Sequence, residues 1–137
     1  MWFLFAIISA IFAALVAIFG KIGLSEVDST LATTVRALFV FLFVLASSAI
    51  TGKLSGLNTI NGKALKFIIL SGVAGGLSWL FYFSALKMGI TSKVAVIDRL
   101  SIVFIFFLSI LFLGETLTLK HVLGIALVAI GAILTIG

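Results

Sequence analysis

Residues 2–20 read WFLFAIISAIFAALVAIFG, nineteen positions without a charged side chain. A helix needs about 20 predominantly apolar residues to cross a hydrocarbon core about 30 Å thick, and this run has that length. It could be mistaken for a signal peptide. However, Met1 is followed directly by Trp2 with no basic residue, and the apolar run reaches Phe19, beyond the length of a signal core. A retained membrane helix is therefore expected.

Four more runs of this kind follow, at residues 30–51, 65–86, 94–113 and 117–136. Backbone groups inside a bilayer must find their hydrogen bonds within the protein, so each run is expected to be a helix. The many Val, Ile and Phe residues would favour strands in water. A membrane barrel, though, alternates apolar and polar side chains along each strand, and these runs do not alternate. The expected fold is an all-α bundle of five transmembrane helices, and one membrane domain covers residues 1–137.

Composition agrees. Of 137 residues, 64% are hydrophobic and 9% charged, against about 45–50% and about 25% in ordinary soluble domains. The chain has no Cys and a single His, His121, so neither a disulfide framework nor a Cys/His metal centre is expected. The net charge of +5 comes from Lys and Arg scattered at the ends of apolar runs. That is the pattern of side chains reaching lipid headgroups, not of a nucleic-acid surface. No nucleophile–base pair or phosphate loop is present, so no enzyme activity and no cofactor are expected.

The breaks between runs carry helix punctuation. Asp28, Ser29 and Thr30 offer N-caps for the second helix. Gly52 is a candidate C-cap, and the longest connection covers residues 54–63. Small residues mark packing faces: Ala6, Ala10, Ala13, Ala17 and Gly20 on the first helix, Gly72, Gly75 and Gly76 on the third, Gly124 and Gly131 on the fifth. Small residues four apart let helices approach closely in lipid, and some can equally leave room for a solute.

Five spans place the two ends of the chain on opposite faces. Lys53, Lys63, Lys66 and Lys120 fall on one face. Lys21, Lys87 and Lys93 fall on the other, with Arg36 a little inside the second helix. So even a distribution gives almost no orientation by the positive-inside rule, and both a weak preference and insertion in both directions fit it.

Most charges sit at the ends of the spans, and three do not: Arg36, Asp98 and Arg99. Ionisable groups at such depth are costly and are read first as functional. Arg36 and Asp98 both fall on the order of 7–12 Å below the same face, at about 1.5 Å per residue. Two readings stand: an ion pair clamping two helices, or a carboxylate held by arginine that couples protons or binds solute. On the third helix Trp79, Tyr82 and Phe83 share a face with Gly75 and Gly76 near mid-membrane, away from the interfacial aromatic belts. Trp79 and Tyr82 need partners for their polar atoms, which makes them candidate pocket-lining residues.

The order of these features resembles a known family. Phe112-Leu113-Gly114-Glu115-Thr116-Leu117-Thr118, followed by the glycine pattern from Gly124 to Gly131, resembles the end of an EamA-like domain of the drug/metabolite transporter superfamily. Tyr82-Phe83-x-Ala85-Leu86-x-x-Gly89 is similar to the end of that family's third helix. Lys21-Ile22-Gly23-Leu24, Asp28-Ser29, Ala32 to Arg36, and Ile97-Asp98-Arg99-Leu100-Ser101 resemble a small single-domain, five-helix branch. Many longer members carry a proline in the fourth helix, and Ser101 stands near that place here.

The resemblance implies a secondary transporter or exporter of a small organic solute in the cell membrane, working by alternating access. Arg36, Asp98 and Arg99 would recognise charge or couple, and Trp79 and Tyr82 would line the pocket. Five is an odd number, so a duplicated unit is inverted, and the longer members are similar to inverted repeats. An unduplicated chain rebuilds that arrangement as an antiparallel homodimer of dual topology. The rival from another class is a non-transporting membrane scaffold or subunit.

Overall fold

A computed structural model describes residues 1–116 and 118–136 of the chain. All regular structure among them is helical. Helix α1 covers Trp2–Gly23, α2 Ser29–Ile50 and α3 Gly62–Met88, with a 3₁₀ stretch at Lys53–Thr59 between the last two. Helix α4 covers Thr91–Asp98 and α5 Ser101–Leu108. One π turn, Ser109–Leu113, extends α5, and α6 covers Leu119–Ile136. The expected start of the last helix at Leu117 lies outside the described residues.

Five stretches are long and apolar enough to cross a membrane: α1, α2, α3, the composite Thr91–Leu113, and α6. At 1.5 Å per residue their 18 to 27 residues span roughly 27 to 40 Å, bracketing the hydrocarbon thickness. Large apolar side chains cover the outside. Phe39, Phe41 and Phe43 are 67%, 61% and 75% exposed, which water would not tolerate over so wide a surface and lipid does.

The fourth span is not the continuous helix expected from its apolar run. Between α4 and α5 the backbone tightens. Arg99 and Leu100 donate to Val96 and Ile97 at 3.1 and 2.9 Å, and Ile102 and Val103 donate to Arg99 and Leu100 at 3.0 and 2.9 Å. These bonds reach back three residues, so the break is a 3₁₀ turn made without proline or glycine. It falls at Asp98 and Arg99, two of the span's three charged side chains, the third being Lys93 near its start. The π turn then ends on Gly114, whose φ of 65° is the left-handed conformation glycine adopts without strain. The connection after α2, read as a loop, holds the 3₁₀ stretch. It is entered through Gly52, also left-handed at φ 68°.

The chain divides into two compact units. One comprises residues 1–18 and 88–137; in it α4 and α5 both pack against α6. Lys93 Nζ donates to the Ile136 carbonyl at 3.4 Å, placing a cation at the negative end of α6.

The other unit comprises residues 19–87. Asp28 caps α2 by accepting from the Thr30 and Leu31 N–H groups at 2.9 and 3.1 Å. Ser84 Oγ donates to the Leu80 carbonyl, so in its 3.2 Å contact with Ser29 it is the acceptor, and α2 is tied to α3. Lys21 Nζ donates to the Leu86 and Lys87 carbonyls at 2.6 and 3.2 Å, closing the end of α3. Lys87 Nζ donates to the Val27 carbonyl at 2.7 Å. Beneath these bonds Leu24, Phe83 and Leu86 are buried, and Gly20 lies so close that a Cβ would stand 2.9 Å from the Phe83 ring.

Two outcomes are expected for stability in detergent. Gly20→Ala drives a methyl into a ring that is 3% exposed. Its overpacking cost of about 1–3 kcal/mol exceeds the helix-propensity gain of about 0.5–1 kcal/mol. The melting temperature should fall, whereas Gly62→Ala, where a Cβ meets nothing within 4 Å, should not lower it. Asp28 supplies a pH dependence. The Leu31 and then the Thr30 N–H groups, with a further contribution from Lys87, hold its carboxyl below the ordinary aspartate value. A depressed pKa contributes stability that is complete above the unfolded value and is lost as pH falls from about 4 through the folded value. Thermal melts at falling pH should show wild type losing stability in that window and Asp28→Asn losing less.

Candidate functional site

Below their serine link, α2 and α3 leave a groove of about 580 Å³. Thr33, Thr34 and Ala37 of α2 form one wall. Gly72, Gly75, Gly76 and Trp79 of α3 form the other. These positions face one another because each set recurs at three- and four-residue intervals along its helix. The glycines make the groove: a Cβ at Gly72, Gly75 or Gly76 would meet nothing within 4 Å. Its size is within the roughly 300–1,000 Å³ of small-molecule sites.

Arg36 stands on α2 between Thr33 and Ala37, about 10 Å from the start of the helix at 1.5 Å per residue. Its guanidinium lies 4.1 Å from the centroid of the Trp79 ring and 5.2 Å from that of Phe83. Each contact of this kind is worth about 0.5–2 kcal/mol, more as water is excluded. Neither ring offers the guanidinium N–H groups a conventional hydrogen-bond acceptor. Nη1 is buried and has no hydrogen-bond acceptor among the described residues. Tyr82 meets Phe83 edge-on, with centroids 5.8 Å apart.

The structure thus brings together Arg36, Trp79, Gly72, Gly75 and Gly76 of the expected site, with Tyr82 adjoining through Phe83. Asp98 and Arg99 belong to the other unit, at the turn between α4 and α5, and both are exposed. Gly124 and Gly131 lie on α6 of that unit, where a Cβ at either position would meet nothing within 4 Å. Sequence reading missed Phe83 as the second ring under Arg36, and Thr33, Thr34, Ala37, Ser71 and Leu80 as groove residues. The signal lay in the spacing: Thr33 and Ala37 are four apart on α2, and Leu80 is four residues after Gly76 on α3.

The threonine hydroxyls at the groove are already engaged by their own helix. Thr33 and Thr34 spend their hydroxyl protons on the Ser29 and Thr30 carbonyls at 2.7 and 2.9 Å. No carboxylate, imidazole or thiol is among the described residues that line it.

A protein from Sinorhizobium sp., described as an uncharacterized transporter in the cobO 3' region, is 44% identical over 133 residues, covering 97% of this chain and 94% of that protein. No solved structure matches. The EamA-like transporter family matches over residues 1–137. Family and relative point to a transporter rather than an enzyme, and five apolar spans make the protein a multi-pass membrane protein. By its match along the whole sequence and its five helices, the chain belongs to the EamA-like transporter family.

Proposed function

We propose that the protein is a secondary transporter that carries a small organic solute across the cell membrane by alternating access, as an antiparallel homodimer. The observation that carries this reading is the α2–α3 groove, with a stacked arginine beside it inside a membrane span. A membrane-depth cavity lined by small residues and an aromatic ring, with one fixed charge against that ring, suits reversible binding of a small solute.

The antiparallel pair rests on three supports. The number of spans is odd, so only opposite insertion of two copies yields two inverted halves. Basic residues are nearly balanced between the two faces. The glycine face of α6 has nothing within 4 Å of a Cβ at Gly124 or Gly131 inside the chain, which leaves room for a second copy. An axis in the membrane plane then lets the copies exchange inward and outward roles. The turn at Asp98–Leu100 gives the fourth span a place to flex, and Asp98 and Arg99 at that turn are proposed to couple or recognise charge.

The chain has no cysteine, so a single one at Asn58 reports orientation cleanly. An impermeant thiol reagent applied to intact cells should label about half of the Asn58→Cys molecules. Labelling nearly all or nearly none would show one orientation and end the antiparallel model. In proteoliposomes, saturable counterflow is the expected property of a carrier, and its absence for every solute tried would favour a scaffold. Asp98→Asn should remain folded and lose the pH-dependent part of that flux. Full activity with an unchanged pH response would remove Asp98 from coupling.

A further inference from the structure

We propose that Arg36 is an oxyanion-binding residue, and that the occupant of the groove is an organic carboxylate with a flat or compact apolar body. The guanidinium would grip the carboxylate, and Trp79 with the glycine floor would take the body. That the occupant is a transported solute rests on the transport reading; the oxyanion site does not.

An arginine remains charged at any physiological pH and presents five N–H donors in a planar fork. In this chain its Cζ lies over the Trp79 ring at 4.1 Å and over the Phe83 ring at 5.2 Å. Those contacts hold the head group in place and satisfy none of the donors. Nη1 is buried without an acceptor, and Arg36 makes no hydrogen bond or ion pair among the described residues. A buried charged donor left in this state is costly, and lipid tails offer it nothing. The species that matches a rigid fork is a two-oxygen anion.

The surroundings narrow the class. Thr33 and Ala37, on either side of Arg36 along α2, both line the groove, as does the Trp79 ring beneath the guanidinium. Beyond this point the wall is Gly72, Gly75 and Gly76, with open space where side chains would be. A slot of that kind admits a flat ring or a short aliphatic body and lacks the partners a second charge would need. The two threonine hydroxyls, having donated to their own helix, retain lone pairs that suit at most a neutral donor on the solute. The same fork would also accept a lipid phosphate, so the test must separate the two sources.

Benzoate and benzamide share one shape and differ in charge, which makes them suitable probes for the full-length protein. With Trp2→Phe, Trp79 is the remaining tryptophan, and its fluorescence reports the site. In dodecyl maltoside, which contains no phosphate, benzoate should change that fluorescence saturably, with benzamide at least tenfold weaker. Arg36→Gln should weaken benzoate at least tenfold. Arg36→Lys should fall between, because it keeps the charge and loses the fork. Equal binding of benzoate and benzamide, no saturable response to benzoate, or full binding by a folded Arg36→Gln protein would each overturn the proposal. The comparison of the two probes needs no Arg36 variant and stands even if Arg36→Gln fails to fold.

Repetition in phosphatidylcholine–phosphatidylglycerol vesicles should leave the benzoate response in place. A response present in micelles and abolished in vesicles would assign the site to a headgroup and overturn the solute carboxylate. Counterflow, measured separately, keeps the two readings apart. Benzoate binding through Arg36 without flux of any carboxylate leaves the oxyanion site and removes transport. Saturable flux of uncharged solutes with no benzoate binding removes the site and leaves transport.

Discussion

A backbone N–H or C=O inside hydrocarbon has no water to turn to, and the rest of this structure depends on that constraint. It makes each apolar run a helix and decides where helices can be interrupted. The fourth span shows the limit of what is tolerated. At Asp98–Leu100 the ladder shifts from four-residue to three-residue bonds, so the helix breaks while the amides of Arg99, Leu100, Ile102 and Val103 stay bonded. Proline would have removed a donor outright. The 3₁₀ turn changes the path of the span without doing so, and it coincides with two of the charged residues that stand out within the spans by sequence.

The same constraint explains how the ends of α2 and α3 are secured. Asp28 satisfies two amides at the start of α2, and Lys21 satisfies two carbonyls at the end of α3. With Lys87 on Val27 and Ser29 on Ser84, one end of this unit is tied closely by polar contacts. Deeper in the span the residues change from polar links to glycine, and the helices leave a groove. A tied end and an open middle are what a binding site needs. The ties fix the register in which Arg36 meets Trp79, and the glycines keep the space beside them empty.

The stack of Arg36 on Trp79 and Phe83 joins structure to function in this unit. An arginine at this depth must be stabilised by something other than water. Aromatic faces do so without consuming its donors, which an ion pair with a carboxylate would. The side chain is thereby held with its donors unspent, the condition on which the proposed oxyanion site rests. Family membership supplies the context of transport, and the proposed carboxylate occupant rests on the arginine–aromatic contact.

The five spans, the all-helical class and the family were legible in the sequence, because each rests on local properties: run length, charge content, and motifs such as Gly114-Glu115. The intramembrane arginine and the aromatic–glycine face of the third helix were legible too, since helical periodicity places Gly75, Gly76, Trp79 and Phe83 on one side. Sequence could not say what Arg36 meets. An arginine two turns into a helix can reach a carboxylate, a carbonyl or a ring, and only the register of α2 against α3, fixed by the serine link and the cap at Asp28, puts Trp79 and Phe83 beneath it. Nor could sequence place the break in the fourth span. Residues 99 to 103 contain neither glycine nor proline, and the shift to three-residue bonds leaves no mark in composition. Local chemistry decided which segments enter the membrane; packing between helices distant in the chain decided where they leave space and which charge borders it.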